Sequence, residues 1–442
     1  MAPKLALMLC IAFVLFLLRL ERKQVSDVTG ALWIPTIWIM LAASKPLAVW
    51  FPLSGATPES SPLDLAFLVV LMCLALGILI RRRFDWVKAI KENAGLIVMV
   101  SFMLISIFWS DIPYISFKRW IRELQAILMA FIILSEPSPR QAIESIIRRI
   151  AYILIPFSLL LIKYFPKYGR VYGRYSGQEM WIGVTEHKNG LGIMCLITAF
   201  FFIWSLLGKW QRHNKSVLNY QTYAEIFILA LILWLMKGPG GSYSATSITT
   251  LVVGILVYWG FHIIRKSGRN VGAGMVMTIT AILNIFGIVT FFTGGSSVGI
   301  FASTAGRDTT LTGRTGVWAA LLPISMQKPL LGRGFGSFWT PITKKEFDIP
   351  SAHNGYLEVL LGLGFVGIFL VAIFLFSSCR KAQRELSNNF DWGTLWICFL
   401  IMALVYNITE SSIDTLTSPL TAIILFFSVF SRNFFSNRQQ LQ

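Results

Sequence analysis

Residues 63–80 read LDLAFLVVLMCLALGILI, and Arg81, Arg82 and Arg83 follow at once. Crossing a bilayer takes about 20 mostly apolar residues, with roughly 17 as the lower end. This run meets that length with one acid, Asp64, and ends on three cations that resist entering hydrocarbon. It therefore reads as a membrane-spanning helix stopped by a basic cluster.

The same reading extends along the chain. Apolar runs of spanning length recur near 4–20, 28–48, 94–110, 115–134, 143–162, 190–207, 221–236, 245–263, 271–291, 354–378, 392–408 and 417–431. The 442 residues are 55% hydrophobic and 14% charged, against roughly 25% charged in soluble domains. The expectation is an all-α polytopic membrane protein with about 12–13 transmembrane helices. Ten-residue alternating strands of a membrane barrel do not occur. Cys10, Cys73, Cys195, Cys379 and Cys398 all fall in spans or at their ends, which speaks against a disulfide framework or a zinc site.

The net charge is +18. In a soluble chain this would suggest nucleic acid; here it sets topology. Basic connectors at 19–23, 81–91, 140–149, 209–215, 265–269 and 380–384 fall on alternate sides of the span list, hence all on one side, the cytoplasm. The tail with Arg432 and Arg438 joins them, while connectors 51–62 and 110–112 carry no Lys or Arg. The domain reading is transmembrane helices over 1–291 with a basic periplasmic loop at 163–189, a large periplasmic loop with short helices at 292–353, and C-terminal helices with a cytoplasmic tail at 354–442.

Those two periplasmic segments break the rule. The first holds Lys163, Lys167, Arg170, Arg174 and Lys188 against Glu179 and Glu186; the second holds Arg307, Arg314, Lys328, Arg333, Lys344 and Lys345 against Asp308, Glu346 and Asp348. Each nets +3. Long loops translocate whatever their charge, so some of these lysines need no function. The arginines sit among Gly, Tyr and Trp, and Arg offers a planar fork for phosphate oxygens. Lys118 and Arg122, four apart with Arg119 beside them, share one face of the 115–134 helix. They either snorkel to the interface or hold a lipid-linked phosphate at headgroup depth. Three Gly–Arg pairs, 306–307, 313–314 and 332–333, suit a loop folded around an anion, and 317–326 reads as a helix too short to span.

The loop ends SAHNGYLEVLLGLG at 351–364. His353 is either a helix-cap residue or a general base. Asn354 follows it, and Glu358, about one turn on, either orients the imidazole or pairs with an arginine. His187, in TEHKN at 185–189, is the other histidine of the outer face. No Asp-rich outer motif or paired outer histidines suit a metal, and no Walker motif suits ATP. No cofactor and no nucleic acid partner is expected.

GRTGVWAALLPISMQKPLLGRGFGSFW at 313–339, SAHNGYLEVLLGLGFVGIFL at 351–370 and GVTEHKNGLG at 183–192 together resemble the signature of the O-antigen ligase and Wzy-type polymerase superfamily. The HKN-then-Gly form resembles its ExoQ-type exopolysaccharide polymerase branch. FWSDIPYISFKRWIREL at 108–124 and NITESS at 407–412 are similar to further family segments. The resemblance implies a GT-C-like bacterial inner-membrane protein with about twelve helices and its active site on the periplasmic side. It implies a metal-independent inverting glycosyltransferase, with an undecaprenyl-pyrophosphate-linked glycan as donor and lipid A-core or a lipid-linked glycan as acceptor. The family's loop histidine falls on His353 and its arginine before the loop tryptophan on Arg314; a further family arginine falls on Arg170 or Arg174. Expected catalytic residues are His353, Arg314 and Glu358. Expected pyrophosphate or substrate contacts are Arg170, Arg174, His187, Lys188, Lys118, Arg122, Arg333 and Asn354. Polymerase and ligase remain open, with HKN tilting towards polymerase; the alternatives are a flippase for lipid-linked oligosaccharide or a non-catalytic partner in a polysaccharide export complex.

Overall fold

The computed structural model describes residues 2–25, 27–51, 61–173, 177–211, 219–240, 242–268, 273–295, 313–349 and 351–430. Arg174, the stretch 296–312 with Arg307, and the tail with Arg432 and Arg438 lie outside the described residues. Among the described residues the protein is all-α apart from one two-stranded antiparallel ribbon, Arg170–Tyr172 against Glu179–Trp181, within the 163–189 segment. Its principal helices are α1 (Pro3–Gln24), α2 (Trp33–Ala42), α3 (Pro62–Arg81), α4 (Ala94–Ile105), α5 (Pro113–Leu134), α6 (Pro139–Tyr164), α7 (Lys188–Gln211) and α8 (Tyr220–Lys237). There follow α9 (Ala245–Lys266), α10 (Ala273–Phe292), α11 (Arg314–Ser325), α12 (Pro341–Phe347), α13 (Gly355–Asn388), α14 (Phe390–Thr409) and α15 (Pro419–Ser428).

Among the described residues, nine helices are long and apolar enough to cross a membrane: α1, α3, α6, α7, α8, α9, α10, α13 and α14. The other four expected spans differ for local reasons. At 28–48 the helical part stops at Ala42, because the chain turns at Ser44 and Lys45 is drawn inward. The Lys45 Nζ donates to the carbonyls of Tyr168 and Gly183, both at 2.8 Å. Burial lowers its ammonium to about 8, opposed by Glu186. At 94–110, α4 is preceded by a short helix, Trp86–Glu92, from which it is bent by 92°. At 115–134, α5 carries Lys118, Arg119, Arg122 and Glu123 in its first half. At 417–431, helix begins only at Pro419, which needs no N–H partner at a helix start.

The chain forms two compact units, residues 1–84 with 128–255, and residues 85–127 with 256–442. In the first unit, α6 is the central element, with 83% of its apolar window buried, against 17% in α1 and in α3. Leu65, Val69, Val70 and Leu74 of α3 are exposed, as expected of a helix whose solvent is lipid. Buried charges are paired: Arg148 with Glu225 at 3.4 Å and Glu144 at 3.2 Å, and Arg149 with Glu21 at 3.2 Å. An unpaired ion there would cost several kcal/mol.

In the second unit, α14 is the buried centre, with 89% of its window covered. Helix α13 is interrupted at Gly364, whose φ of +65° is left-handed. The break frees backbone groups that the preceding loop satisfies. Arg333 and Gly334 donate to the carbonyls of Leu361 and Gly362 at 3.0 and 2.9 Å, and Phe365 and Val366 donate to Pro329 and Leu330 at 2.8 and 3.2 Å. Non-helical backbone within a spanning segment is tolerated where protein covers it in this way. Glycine is required on both sides: a Cβ on Gly332 would stand 2.5 Å from the Gly362 backbone, and one on Gly364 would stand 2.2 Å from the Leu330 carbonyl oxygen. This clasp fixes the 329–339 loop against α13.

The clasp makes a prediction. Gly332→Ala combines a backbone collision with a left-handed φ, a penalty of at least about 1–3 kcal/mol. Detergent-extracted Gly332→Ala should melt at lower temperature than wild type. Gly316→Ala, where a Cβ meets nothing within 4 Å, should melt as wild type does; equal melting of all three would contradict the clasp.

Candidate functional site

The site is built where the long loop joins α13. Asn354 is its N-cap: the side-chain carbonyl accepts from Leu357 N–H at 3.0 Å, and the amide donates to the Ile408 carbonyl at 2.9 Å. This buried amide is committed at both ends to protein, which secures the residue next to His353. On the other side, the Ala352 peptide is held twice. Its N–H donates to Glu358 Oε1 at 2.5 Å, and its carbonyl accepts from Trp318 Nε1 at 2.8 Å. Trp318 lies four residues after Arg314, on the same face of α11.

Between these two anchors His353 has a φ of +50°. For a non-glycine residue that conformation costs on the order of 1–3 kcal/mol and persists only when neighbours enforce it. It directs the imidazole to Glu410, with Nδ1 3.0 Å from Oε2. The other carboxylate oxygen, Oε1, accepts from Arg314 Nη2. Glu410 is buried, at 5% exposure, while His353 and Arg314 are partly open. An ionised carboxylate only accepts, so in a neutral imidazole this pairing would place the proton on Nδ1 and the lone pair on Nε2.

Glu410 stands just beyond the end of α14, and its backbone carbonyl accepts from Gly355 N–H at 3.0 Å. Asn407 shapes the turn around it: the side-chain carbonyl accepts from Ser412 and Ile413 N–H at 2.8 and 3.0 Å. A Cβ on Gly355 would stand 2.1 Å from that oxygen, so the HNG sequence and the NITESS segment fit one another sterically.

The other expected residues divide by environment. Glu358 supports His353 through Ala352 and accepts from Trp339 Nε1 at 2.7 Å; the partner of the imidazole is Glu410, not Glu358. Arg333 reaches Asp111 at 3.4 Å and Gln327 at 2.7 Å. Lys118 lies over the Tyr114 ring at 4.3 Å, and Arg122 lines a cavity with Glu358. Arg119, beside them, donates to the carbonyls of Gly336 and Trp339.

Three expected residues belong to the first unit. Arg170 donates to the Ile162 carbonyl at 2.7 Å and pairs with Glu179 at 3.1 Å, bracing the ribbon. His187 Nδ1 accepts from Gly190 N–H at 3.0 Å at the start of α7, and Lys188 is the first residue of that helix. His187 is exposed.

Sequence reasoning assigned no role to Glu410, Trp318 or Asp414. Asp414 lies in the connector between α14 and α15, and burial raises its carboxyl to about 6. The available signal was NITESS, an acid directly after an apolar span.

Residues 226–372 match the family model described as O-antigen ligase, an interval containing Arg314, His353 and Glu358. The exopolysaccharide production protein ExoQ of Rhizobium meliloti (strain 1021) is 25% identical over 362 residues, covering 75% of this chain and 76% of that protein. No solved structure matches. The family match and the relative both bear out this multi-pass membrane protein's likeness to the O-antigen ligase and Wzy-type polymerase superfamily, on its ExoQ-type side.

Proposed function

We propose that this protein is an inverting glycosyltransferase of the bacterial inner membrane. It transfers a glycan from an undecaprenyl-pyrophosphate donor to an acceptor hydroxyl on the periplasmic face, as a polysaccharide polymerase. The observation that carries the reading is one buried carboxylate, Glu410, shared by His353 and Arg314. The sidedness rests on the positive-inside pattern, which leaves the His353 loop opposite the basic connectors.

In this mechanism Nε2 of His353 takes the proton of the acceptor hydroxyl as its oxygen attacks the anomeric carbon. The bond from that carbon to the pyrophosphate oxygen breaks on the opposite face, so the configuration inverts. The leaving group departs as undecaprenyl pyrophosphate, and guanidinium nitrogens of Arg314 face its developing charge. Positive charge from arginine does the work that a divalent cation does elsewhere, which is why the reaction is proposed as metal-independent. Glu410 keeps the imidazole in one tautomer and stabilises the imidazolium that forms. The HKN segment and the ExoQ relative favour a lipid-linked glycan as acceptor over lipid A-core.

Replacing His353 by Ala should abolish polymer in cells at normal protein level; unchanged polymer in that strain would refute the assignment. Glu410→Gln preserves shape but removes the charge and should slow transfer by about 10²-fold or more, within the range attributable to acid–base chemistry. Arg314→Lys keeps the charge and loses the fork, so it should also be impaired.

Polymerase and ligase separate in a deletion strain. Loss of long-chain exopolysaccharide with intact O-chains on lipopolysaccharide is the expected result, and O-antigen stranded on its lipid carrier would instead mean ligase. Reconstituted with lipid-linked donor and acceptor, the protein should release undecaprenyl pyrophosphate and form a glycosidic bond. Donor that crosses the bilayer unaltered would mean a flippase.

A further inference from the structure

Beside the His353 site lies a cavity of about 290 Å³. Three elements wall it: the first half of α5, the clasped loop Phe335–Trp339, and the connector after α14, closed below by α13. Arg119, Arg122 and Lys344 share the lining with the acids Glu123, Glu358 and Asp414. Arg119 is engaged with the carbonyls of Gly336 and Trp339. The carboxylates are oriented by protein donors: Glu123 Oε2 accepts from Leu416 N–H at 2.5 Å, and Glu358 accepts from Ala352 and Trp339. Glu123 is 2% exposed and Glu358 9%.

A carboxyl group keeps several acceptor positions whether ionised or protonated, and these bonds occupy one on Glu123 and two on Glu358. The lining therefore keeps surplus acceptors on acids, with the hydroxyls of Ser337, Thr415 and Thr417 nearby and the rings of Phe338 and Trp339 as apolar wall. Phosphate oxygens chiefly accept, so a phosphate would leave the acceptors on these acids without donors. A ring that donates many O–H groups and presents an apolar C–H face would match the walls.

We propose that this cavity binds a neutral sugar ring of the substrate glycan, with Glu123, Asp414 and Thr417 as specificity-determining contacts. The pyrophosphate belongs with Arg314 instead. Glu358 connects the two places, because the carboxylate that lines the cavity also holds the Ala352 peptide next to His353. Filling the cavity thus places glycan beside the base. This inference rests on the transferase reading for its ligand, but binding can be read without turnover.

The test uses the full chain in nanodiscs and the lipid-free repeat-unit oligosaccharide released by mild acid from the host's own lipid-linked intermediates. Saturation-transfer NMR should show sugar contact in wild type and equally in His353→Ala. Affinity should fall at least about tenfold in Glu123→Gln/Asp414→Asn, the worth of one hydrogen bond to a charged group. Thr417→Trp fills the cavity from its rim without removing a buried acid, and should abolish contact even if the double variant folds poorly. Inorganic pyrophosphate should not displace the sugar. Unchanged affinity in both variants, displacement by pyrophosphate, or no contact in wild type would each overturn the proposal. A chain that binds the sugar at this cavity yet forms no glycosidic bond with His353 intact would fail the transferase reading alone.

Discussion

One carboxylate organises the functional end of this protein. Glu410 receives a guanidinium nitrogen from Arg314 on one oxygen and the imidazole of His353 on the other. Both partners are cationic or become so, and among the described residues the acid that pairs with each is Glu410. A buried acid left without them would carry an uncompensated charge, so three elements distant in sequence, the start of α11, the loop end before α13 and the end of α14, are drawn to one point. In the proposed mechanism the same arrangement serves chemistry, because an Nδ1–H held by the carboxylate leaves Nε2 to act as the base. In the proposed reaction the arginine meets negative charge as the imidazole acquires positive charge, with the acid between them.

The rest of the unit enforces that point. His353 would not hold a left-handed φ unaided; Trp318, Glu358 and Asn354 hold the peptides on either side. The break at Gly364 opens α13 enough for residues 329–334 to bond its backbone. That clasp brings Trp339 to Glu358 and gives the cavity one of its walls. A transmembrane helix is interrupted here for a structural return, with four backbone groups around the break bonded by a glycine-bearing loop.

Hydropathy made the helical architecture legible, because a bilayer imposes length and composition on every span. It was least accurate where tertiary contacts override composition. Lys45 sits in an apolar run, yet its two carbonyl partners lie more than 120 residues away. In α5 the acid Glu123 is satisfied by a backbone N–H almost three hundred residues on. His353 and Arg314 were readable as candidates because a histidine at a loop–helix junction and an arginine among glycines are unusual locally. Glu410 was not, since its partners are 57 and 96 residues away. Glu358 drew the role instead by lying five residues from His353. Helical spacing shows which residues share a face, but not which acid another helix brings to it. Arg170 illustrates the converse, a cation expected for substrate whose described contacts brace its own ribbon.

In the proposed mechanism Glu410 acts through His353. A double-mutant cycle on the reconstituted protein measures this, comparing transfer rates for His353→Ala, Glu410→Gln and the combined variant. Residues that work as a unit lose little more together than the worse of them loses alone. The combined variant should therefore transfer almost as slowly as His353→Ala, far short of the product of the two single losses. Losses that multiply in full would mean that the acid and the imidazole act independently, and would contradict that mechanism.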